Sequence, residues 1–392
     1  MISSPACGRA APRPALELAH VIRLHGDGLA AVTSEQRKVL NALSACRTAA
    51  LGGHVETCDQ CGHQRIAYNS CRNRHCPKCQ GSACAHWMAD REKDLLPVEY
   101  FHVVFTLPDA FNGLALANRR IVYGVLFDAV AQTLMEVTAN PRHLGAKIGF
   151  MSILHTWGQN LCLHPHVHCV VPGGGLSPDG ERWIACKPGF FLPVRVLSKV
   201  FRGKFIDLLK QAHAKQALVG IANDGQLRRL IDSSVRTDWV VYAKPPFGGP
   251  KQVLKYLSRY THRIAISNRR LVSMDEQNVI FRWKDYAHGN QPRLMTLEGG
   301  EFLRRFLLHV VPTGFMRIRH FGLLANRVWS VNLSRCRELL LVQVQNIAIE
   351  TPPADTIQTT AYDCCPLCGT GQMIRCEFVR GDFIPPPRLD TS

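Results

Sequence analysis

The chain has 392 residues, 46% of them hydrophobic, and carries 47 Lys and Arg against 30 Asp and Glu, a formal charge of +17. That length suits two or three domains and that composition a packed core, which excludes a disordered chain, while the charge predicts attraction to a polyanion, nucleic acid ahead of an anionic membrane. No apolar run approaches the roughly 20 residues that cross a bilayer, the stretch Met1-Ile2-Ser3-Ser4-Pro5 lacks the order of a secretory signal, and the chain therefore reads as cytosolic. In a reducing compartment its 16 cysteines point to metal sites and buried thiols before disulfides.

The first predicted element is a helix over Ser34 to Ala50, with a start signal at Ser34 followed by Gln36 and Arg37. Cysteines then become dense from Cys58 to Cys84, in the order Cys58-x-x-Cys61, Cys71, His75-Cys76-x-x-Cys79. A Cys-x-x-Cys knuckle turns two thiolates toward one ion, and two knuckles about fourteen residues apart can complete a tetrahedral zinc site. Gly62 and Pro77 suit the turns such knuckles need. The candidate zinc ligands are Cys58, Cys61, Cys76 and Cys79; Cys71, His63 and His75 are alternatives, or ligands of a second ion, and the bland reading is a group of reduced thiols. Arg65, Arg72, Arg74 and Lys78 surround this module, which favours a zinc domain that contacts DNA over a purely structural one.

Glu99 to Leu107, rich in aromatic and β-branched residues and closed by Pro108, is a predicted strand. Asn118 to Ala139 is a predicted helix ending at Asn140-Pro141, Ile148 to Leu154 a second strand, and His166 to Val171, across a turn near Gly158, a third. Strand, helix and hairpin define an α+β domain on a central antiparallel sheet, preceded by the small Cys-rich domain. The expected boundaries are 15–95 for the N-terminal helix and zinc domain, 96–345 for the α+β domain, and 346–392 for a flexible tail rich in proline (Pro352-Pro353, Pro385-Pro386-Pro387). In that tail Cys364, Cys365 and Cys368-Gly369 look like half of a zinc ribbon with Cys376 nearby; a partner-completed metal site and free thiols both remain open.

Chemistry concentrates at His164-Pro165-His166-Val167-His168. On a strand, residues two apart share a face, so His166 and His168 can point at one divalent ion while Val167 packs on the other side. A bare His-x-His is more often a pair of histidines satisfied within the structure. Gln159 and His155, both just upstream, are candidates for a third ligand, and either can equally be a sheet residue with an ordinary hydrogen bond; His164 precedes the strand and is a candidate to support a ligand rather than bind metal.

The second element is Lys251 to Arg263, after the loop Pro245 to Pro250. Tyr256 and Tyr260 are four apart and share one face of a predicted helix, interleaved with Lys255, Arg259, His262 and Arg263. A phenol with a pKa near 10 is a poor nucleophile, but adjacent cations and a metal-polarised phosphate make its attack on a phosphodiester feasible. An amphipathic helix packing its tyrosines on a core is the plainer reading. No Gly-x-x-x-x-Gly-Lys-Ser/Thr loop occurs, which argues against a built-in helicase.

Taken together, Cys71 to Cys79, Leu154 to Asn160, His164 to His168 with Pro172 to Gly175, Tyr256-Leu257-Ser258-Arg259-Tyr260 and Arg317 to Gly322 resemble the HUH-type two-tyrosine transposases of the rolling-circle insertion-sequence 91 family, over about positions 15 to 340. The resemblance implies that His166 and His168 hold Mg²⁺ or Mn²⁺, with Gln159 the candidate third ligand, and that Tyr256 or Tyr260 attacks single-stranded DNA. The products would be a 5′-phosphotyrosine link and a free 3′-hydroxyl. It implies structural Zn²⁺, DNA contacts from Arg72, Arg74, Lys78, Lys255, Arg259 and Arg263, and transposon ends and target DNA as partners. Host replication or helicase proteins would be further partners, in a bacterial, nucleoid-associated setting. The competing functions are a plasmid or phage replication initiator and a non-enzymatic zinc-dependent DNA-binding regulator; the regulator leaves the histidine and tyrosine pairs unexplained.

Overall fold

The structure, a computed structural model, describes residues 16–81, 84, 94–237, 239–244, 264–286, 288–344 and 364–379. Two units are formed by its described residues, one within Met1–Ser82, Ile266–Arg304 and Glu350–Ser392, the other within Ala83–Ala265 and Arg305–Ile349.

The chain begins with α1 (Leu18–His25) and α2 (Ser34–Ser44). The cap of α2 is Thr33, one residue before the expected start. Its hydroxyl accepts from the Gln36 amide at 3.2 Å while the Gln36 side chain accepts from the Thr33 amide at 3.0 Å, a reciprocal arrangement that satisfies two otherwise open donors. The helix stops at Ser44 rather than running to Ala50, because the chain turns there and Arg47 takes a left-handed φ of 58°. The hairpin strands β1 (Gly53–Cys58) and β2 (Gln64–Tyr68) follow.

The second unit opens on β3 (Tyr100–Thr106), the strand expected over Glu99 to Leu107, followed by α3 (Asn112–Ala117) and α4 (Arg119–Ala139). Next come β4 (Gly149–Trp157), β5 (Leu163–Pro172), the short strands β6 (Gly174–Leu176) and β7 (Trp183–Ala185), then α5 (Val194–Ala214), α6 (Asp224–Val235) and β8 (Val241–Lys244). By length and composition α4 is apolar enough to cross a bilayer, contrary to the expectation of no such run. It is the core helix instead: Tyr123, Leu126, Phe127, Val130 and Leu134 are fully buried. Apolar residues on nearly every side suit a helix enclosed by protein.

Residues 271–298 form the antiparallel meander β9 (Leu271–Met274), β10 (Asn278–Asp285) and β11 (Gln291–Glu298) of the first unit. After α7 (Gly299–Leu307), β12 (Ile318–Gly322) pairs with β4 and completes a five-stranded antiparallel sheet of order β12-β4-β5-β3-β8; α8 (Trp329–Val344) follows. The last strand, β13 (Met373–Val379), lies in the segment expected to be an appendage, yet it pairs along all of β1 to make the sheet β13-β1-β2.

The five-stranded sheet separates two environments. Phe101, Val103, Phe105, Phe150, Leu154, Val167, Cys169 and Val171 face the helical layer. There α5 presents Leu197, Phe201, Phe205 and Leu209, spaced four apart on one stripe and fully buried. Phe105 meets Phe201 edge-on at 5.1 Å. Residues of opposite parity emerge on the other face. The register sets His166 opposite both His155 and Thr106, and His168 opposite both Ile153 and Val104. Strand alternation thus packs one face and leaves a histidine-rich face on the other.

Candidate active site and metal centres

His155, His166 and His168 form a group whose ligand nitrogens all lie within 4.8 Å of one another. Two come from alternate positions of β5, as the spacing predicts, and the third stands directly across the ladder on β4. The rings of His155 and His168 meet at 4.4 Å and those of His166 and His168 at 4.8 Å, in edge-to-face geometry. Just past His155 the pairing shifts by one residue, a bulge between His155 and Trp157 that ends the regular ladder. Bulges of this kind re-aim side chains beside functional sites.

Hydrogen bonds decide which nitrogens face the centre. Nδ1 of His166 lies 2.6 Å from the His164 carbonyl. A carbonyl only accepts, so Nδ1 carries the proton and Nε2 is the nitrogen this ring would offer to a metal. The His164 backbone thus orients the His166 ring, and burial lowers the pKa of the His164 ring against the opposing charge of Asp109. Nδ1 of His168 is 2.8 Å from Nε2 of His102, with the rings nearly parallel. Burial, with a smaller contribution from the Lys244 charge, pushes His102 down to about 4, so its ring is neutral at physiological pH. With His168 as donor in that pair, its Nε2 is the lone-pair nitrogen. A metal-ligating histidine commonly gives its other N–H to such a partner.

The turn between β4 and β5 is tied down as well. His309, fully buried, donates from Nε2 to the Leu161 carbonyl at 3.0 Å and accepts at Nδ1 from the Thr156 hydroxyl at 3.2 Å. Leu161 holds a left-handed φ of 63° within this turn. Gln159, the other candidate third ligand, lies in the same turn, half-buried and beyond the end of β4. Tyr256 and Tyr260, with Lys255, Arg259 and Arg263, lie outside the described residues.

The cysteines make two separate groups rather than one. Cys76 and Cys79 join Cys46 and Cys71, and Cys58 and Cys61 join Cys365 and Cys368. The expected pairing of the two knuckles around one ion is therefore replaced by one tetrad for each. In the first tetrad, Cys46 lies 3.6 Å from Cys79 and 3.5 Å from Cys76, and Cys71 lies 3.7 Å from Cys79, sulfur to sulfur. Four thiolates around one Zn²⁺ at roughly 2.3 Å stand about 3.8 Å apart, so this donor set fits zinc. Of the basic residues beside it, Arg72 is exposed, Arg74 half-buried, and Lys78 is paired with Glu17 at 2.7 Å.

Sequence reasoning passed over Cys46, His102 and His309. Cys46 sits at the end of a predicted helix, with no knuckle spacing to mark it. His102 lies inside an apolar strand where alternation would have put it on the face of His166 and His168, had the register been known. Nothing local marks His309.

The family described as "Putative transposase" matches residues 149–330, and the "Transposase zinc-binding domain" matches residues 21–107. A Sinorhizobium fredii protein (strain NBRC 101917 / NGR234) named "Putative transposase y4qJ" is 51% identical, with 96% of this chain and 98% of that protein covered. The transposase of insertion sequence element IS801 from Pseudomonas savastanoi pv. phaseolicola is 28% identical over 77% of this chain and 73% of its own. Among solved structures, the metal-free conjugative relaxase TrwC in complex with OriT DNA aligns at TM-score 0.23 and 14% identity, over 41% of this chain and 71% of that one. At that score no residue role is transferred from it. The chain belongs to the HUH-type two-tyrosine transposases of the insertion-sequence 91 family, with a zinc-binding domain at its N-terminal side.

Proposed function

We propose that this transposase nicks and rejoins single-stranded DNA at the ends of its insertion sequence through a 5′-phosphotyrosine intermediate. The observation that carries the reading is the imidazole trio of His155, His166 and His168 on one face of the sheet. Each of the three offers an imidazole nitrogen of a kind suited to a divalent metal, and the His164 carbonyl fixes the orientation of one of the rings. Mg²⁺ or Mn²⁺ bound there supplies positive charge to a scissile phosphate. Among the two, imidazole donors favour Mn²⁺, which stands higher in affinity for nitrogen ligands.

The remaining steps belong to the chain's own residues. The hydroxyl of Tyr256 or Tyr260 attacks phosphorus, a Tyr O–P bond forms, the P–O3′ bond breaks, and the phenolic proton passes to the leaving 3′-oxygen. The 5′-phosphate end of the downstream strand stays on the protein, and the upstream strand is released with a 3′-hydroxyl. Reversal with the same or a new 3′-hydroxyl joins strands without ATP, since the phosphodiester energy is kept in the phosphotyrosine. Lys255, Arg259 and Arg263 lie in sequence beside these tyrosines, where cations both bind the DNA backbone and favour the phenolate.

The test uses labelled single-stranded element ends with Mn²⁺ and looks for a protein-DNA adduct that survives denaturation. The intact protein forms it, and His166→Ala with His168→Ala abolishes it while DNA binding is largely kept. Absence of an adduct with the intact protein under every divalent metal tried would favour a non-enzymatic DNA-binding role.

A further inference from the structure

We infer that Cys58, Cys61, Cys365 and Cys368 hold a second structural zinc ion, which clasps the C-terminal segment onto the N-terminal zinc module. The matched zinc-binding domain spans residues 21–107 and so contains only the tetrad of Cys46, Cys71, Cys76 and Cys79 whole. The other tetrad joins knuckles 304 to 310 residues apart in sequence.

Sulfur geometry favours one ion over paired thiols. Cys58 and Cys368 are 3.7 Å apart and Cys61 and Cys365 3.6 Å, and all four sulfurs fall within 4.8 Å of one another. A disulfide needs about 2.05 Å, whereas a tetrahedral zinc tetrathiolate needs about 3.8 Å.

The two knuckles are also copies of each other. Cys58-Asp59-Gln60-Cys61-Gly62 and Cys365-Pro366-Leu367-Cys368-Gly369 share the form Cys-x-x-Cys-Gly. Gly62 and Gly369 have φ of 69° and 70°, a left-handed turn that glycine takes without strain. Their amides donate to the carbonyls of Cys58 at 3.1 Å and Cys365 at 3.0 Å. In each knuckle a backbone amide two residues on points at the first sulfur, Gln60 to Cys58 at 3.4 Å and Leu367 to Cys365 at 3.4 Å. Such N–H groups stabilise the thiolate form that a metal requires.

Other contacts hold the second knuckle against the first. The backbones of Asp59 and Gln372 meet at 3.0 Å, and the Asp59 carboxylate accepts the Gln372 amide at 2.8 Å. A Cβ on Gly371 would stand 2.4 Å from the Cys58 sulfur, so only glycine lets the strand pass this close. The β13–β1 ladder continues the junction from Cys58↔Met373 to Gly53↔Val379. On this account the chain's C-terminal half-ribbon is completed within the same molecule, and its ion closes a very long loop.

The experiment measures zinc in the purified full-length protein by elemental analysis and native mass spectrometry, with X-ray absorption at the zinc edge. We expect two zinc ions per chain, each with four sulfur neighbours at about 2.3 Å. Cys365→Ser with Cys368→Ser should lower the count to one, and so should Cys46→Ser with Cys71→Ser. One zinc ion per chain in the unaltered protein overturns the inference, as does a mixed sulfur and nitrogen shell at a count of two, which would place the second ion on histidines. Retention of both ions by the Cys365/Cys368 variant also overturns it. The measurements on the unaltered protein decide the matter even where a variant does not fold.

Discussion

His102 and His168 face each other across neighbouring strands, Nε2 to Nδ1 at 2.8 Å, with ring planes 10° from parallel. The contact fixes the ring of a proposed metal ligand from a residue that is itself buried and neutral. His102 is thus a positioning residue. His102→Ala should weaken metal binding by roughly 10- to 100-fold, the range seen when such supporting partners are removed. The readout is the Mn²⁺ concentration for half-maximal cleavage, which should rise more than the rate at saturating metal falls. An unchanged metal dependence would confine His102 to packing.

The third ligand can be assigned by substitution. His155 stands across the ladder from His166, whereas Gln159 lies in the turn beyond β4. His155→Ala should therefore raise the required Mn²⁺ concentration by at least tenfold, and Gln159→Ala by less than about threefold. The reverse order would return the ligand to Gln159.

Much of this was legible in the sequence, for a physical reason. Alternation along β5 is a local property, so His166 and His168 on one face follow from their spacing alone, and the strand near Glu99 to Leu107 follows from its aromatic and β-branched residues. Partners set by register or by long loops were not legible. Nothing near Cys58 says that Cys368, not Cys76, lies beside it, because the pairing of β1 with β13 decides it. The C-terminal segment reads as an appendage from its prolines, but its described part, 364–379, holds a cysteine knuckle and a strand. The placement of His155 directly across from His166 likewise needed the β4–β5 register.

Buried His309 predicts a pH-dependent stability. Burial lowers its pKa from 6.5 to about 4. Between those values the unfolded chain takes up a proton that the folded chain refuses. The stability tied to this neutral ring is therefore complete above about pH 6.5 and drains away as the pH falls toward 4, by ~3 kcal/mol in all. Thermal melts from pH 7.5 to 4.5 should show Tm falling over that window, less steeply in His309→Gln. Equal slopes for the two proteins would remove His309 from the account.

Gly322 closes the stretch Arg317 to Gly322 at the edge of the sheet. Its φ is 59°, and a Cβ there would meet the Ile148 carbonyl oxygen at 2.0 Å. Both the conformation and the backbone contact oppose a side chain. Gly322→Ala should destabilise the protein by about 2 kcal/mol or more, measured by denaturant unfolding. A loss under about 0.5 kcal/mol would show that the β12 edge adjusts freely.

The central claim is that a tyrosine of the Tyr256/Tyr260 pair becomes linked to DNA. The most direct measurement traps the adduct on a single-stranded element end with Mn²⁺, digests it with trypsin, and locates the nucleotide by mass spectrometry. The account predicts a 5′-phosphonucleotide on Tyr256 or Tyr260, with no adduct from Tyr256→Phe/Tyr260→Phe. An adduct on any other residue, or one that survives the double substitution, would contradict it.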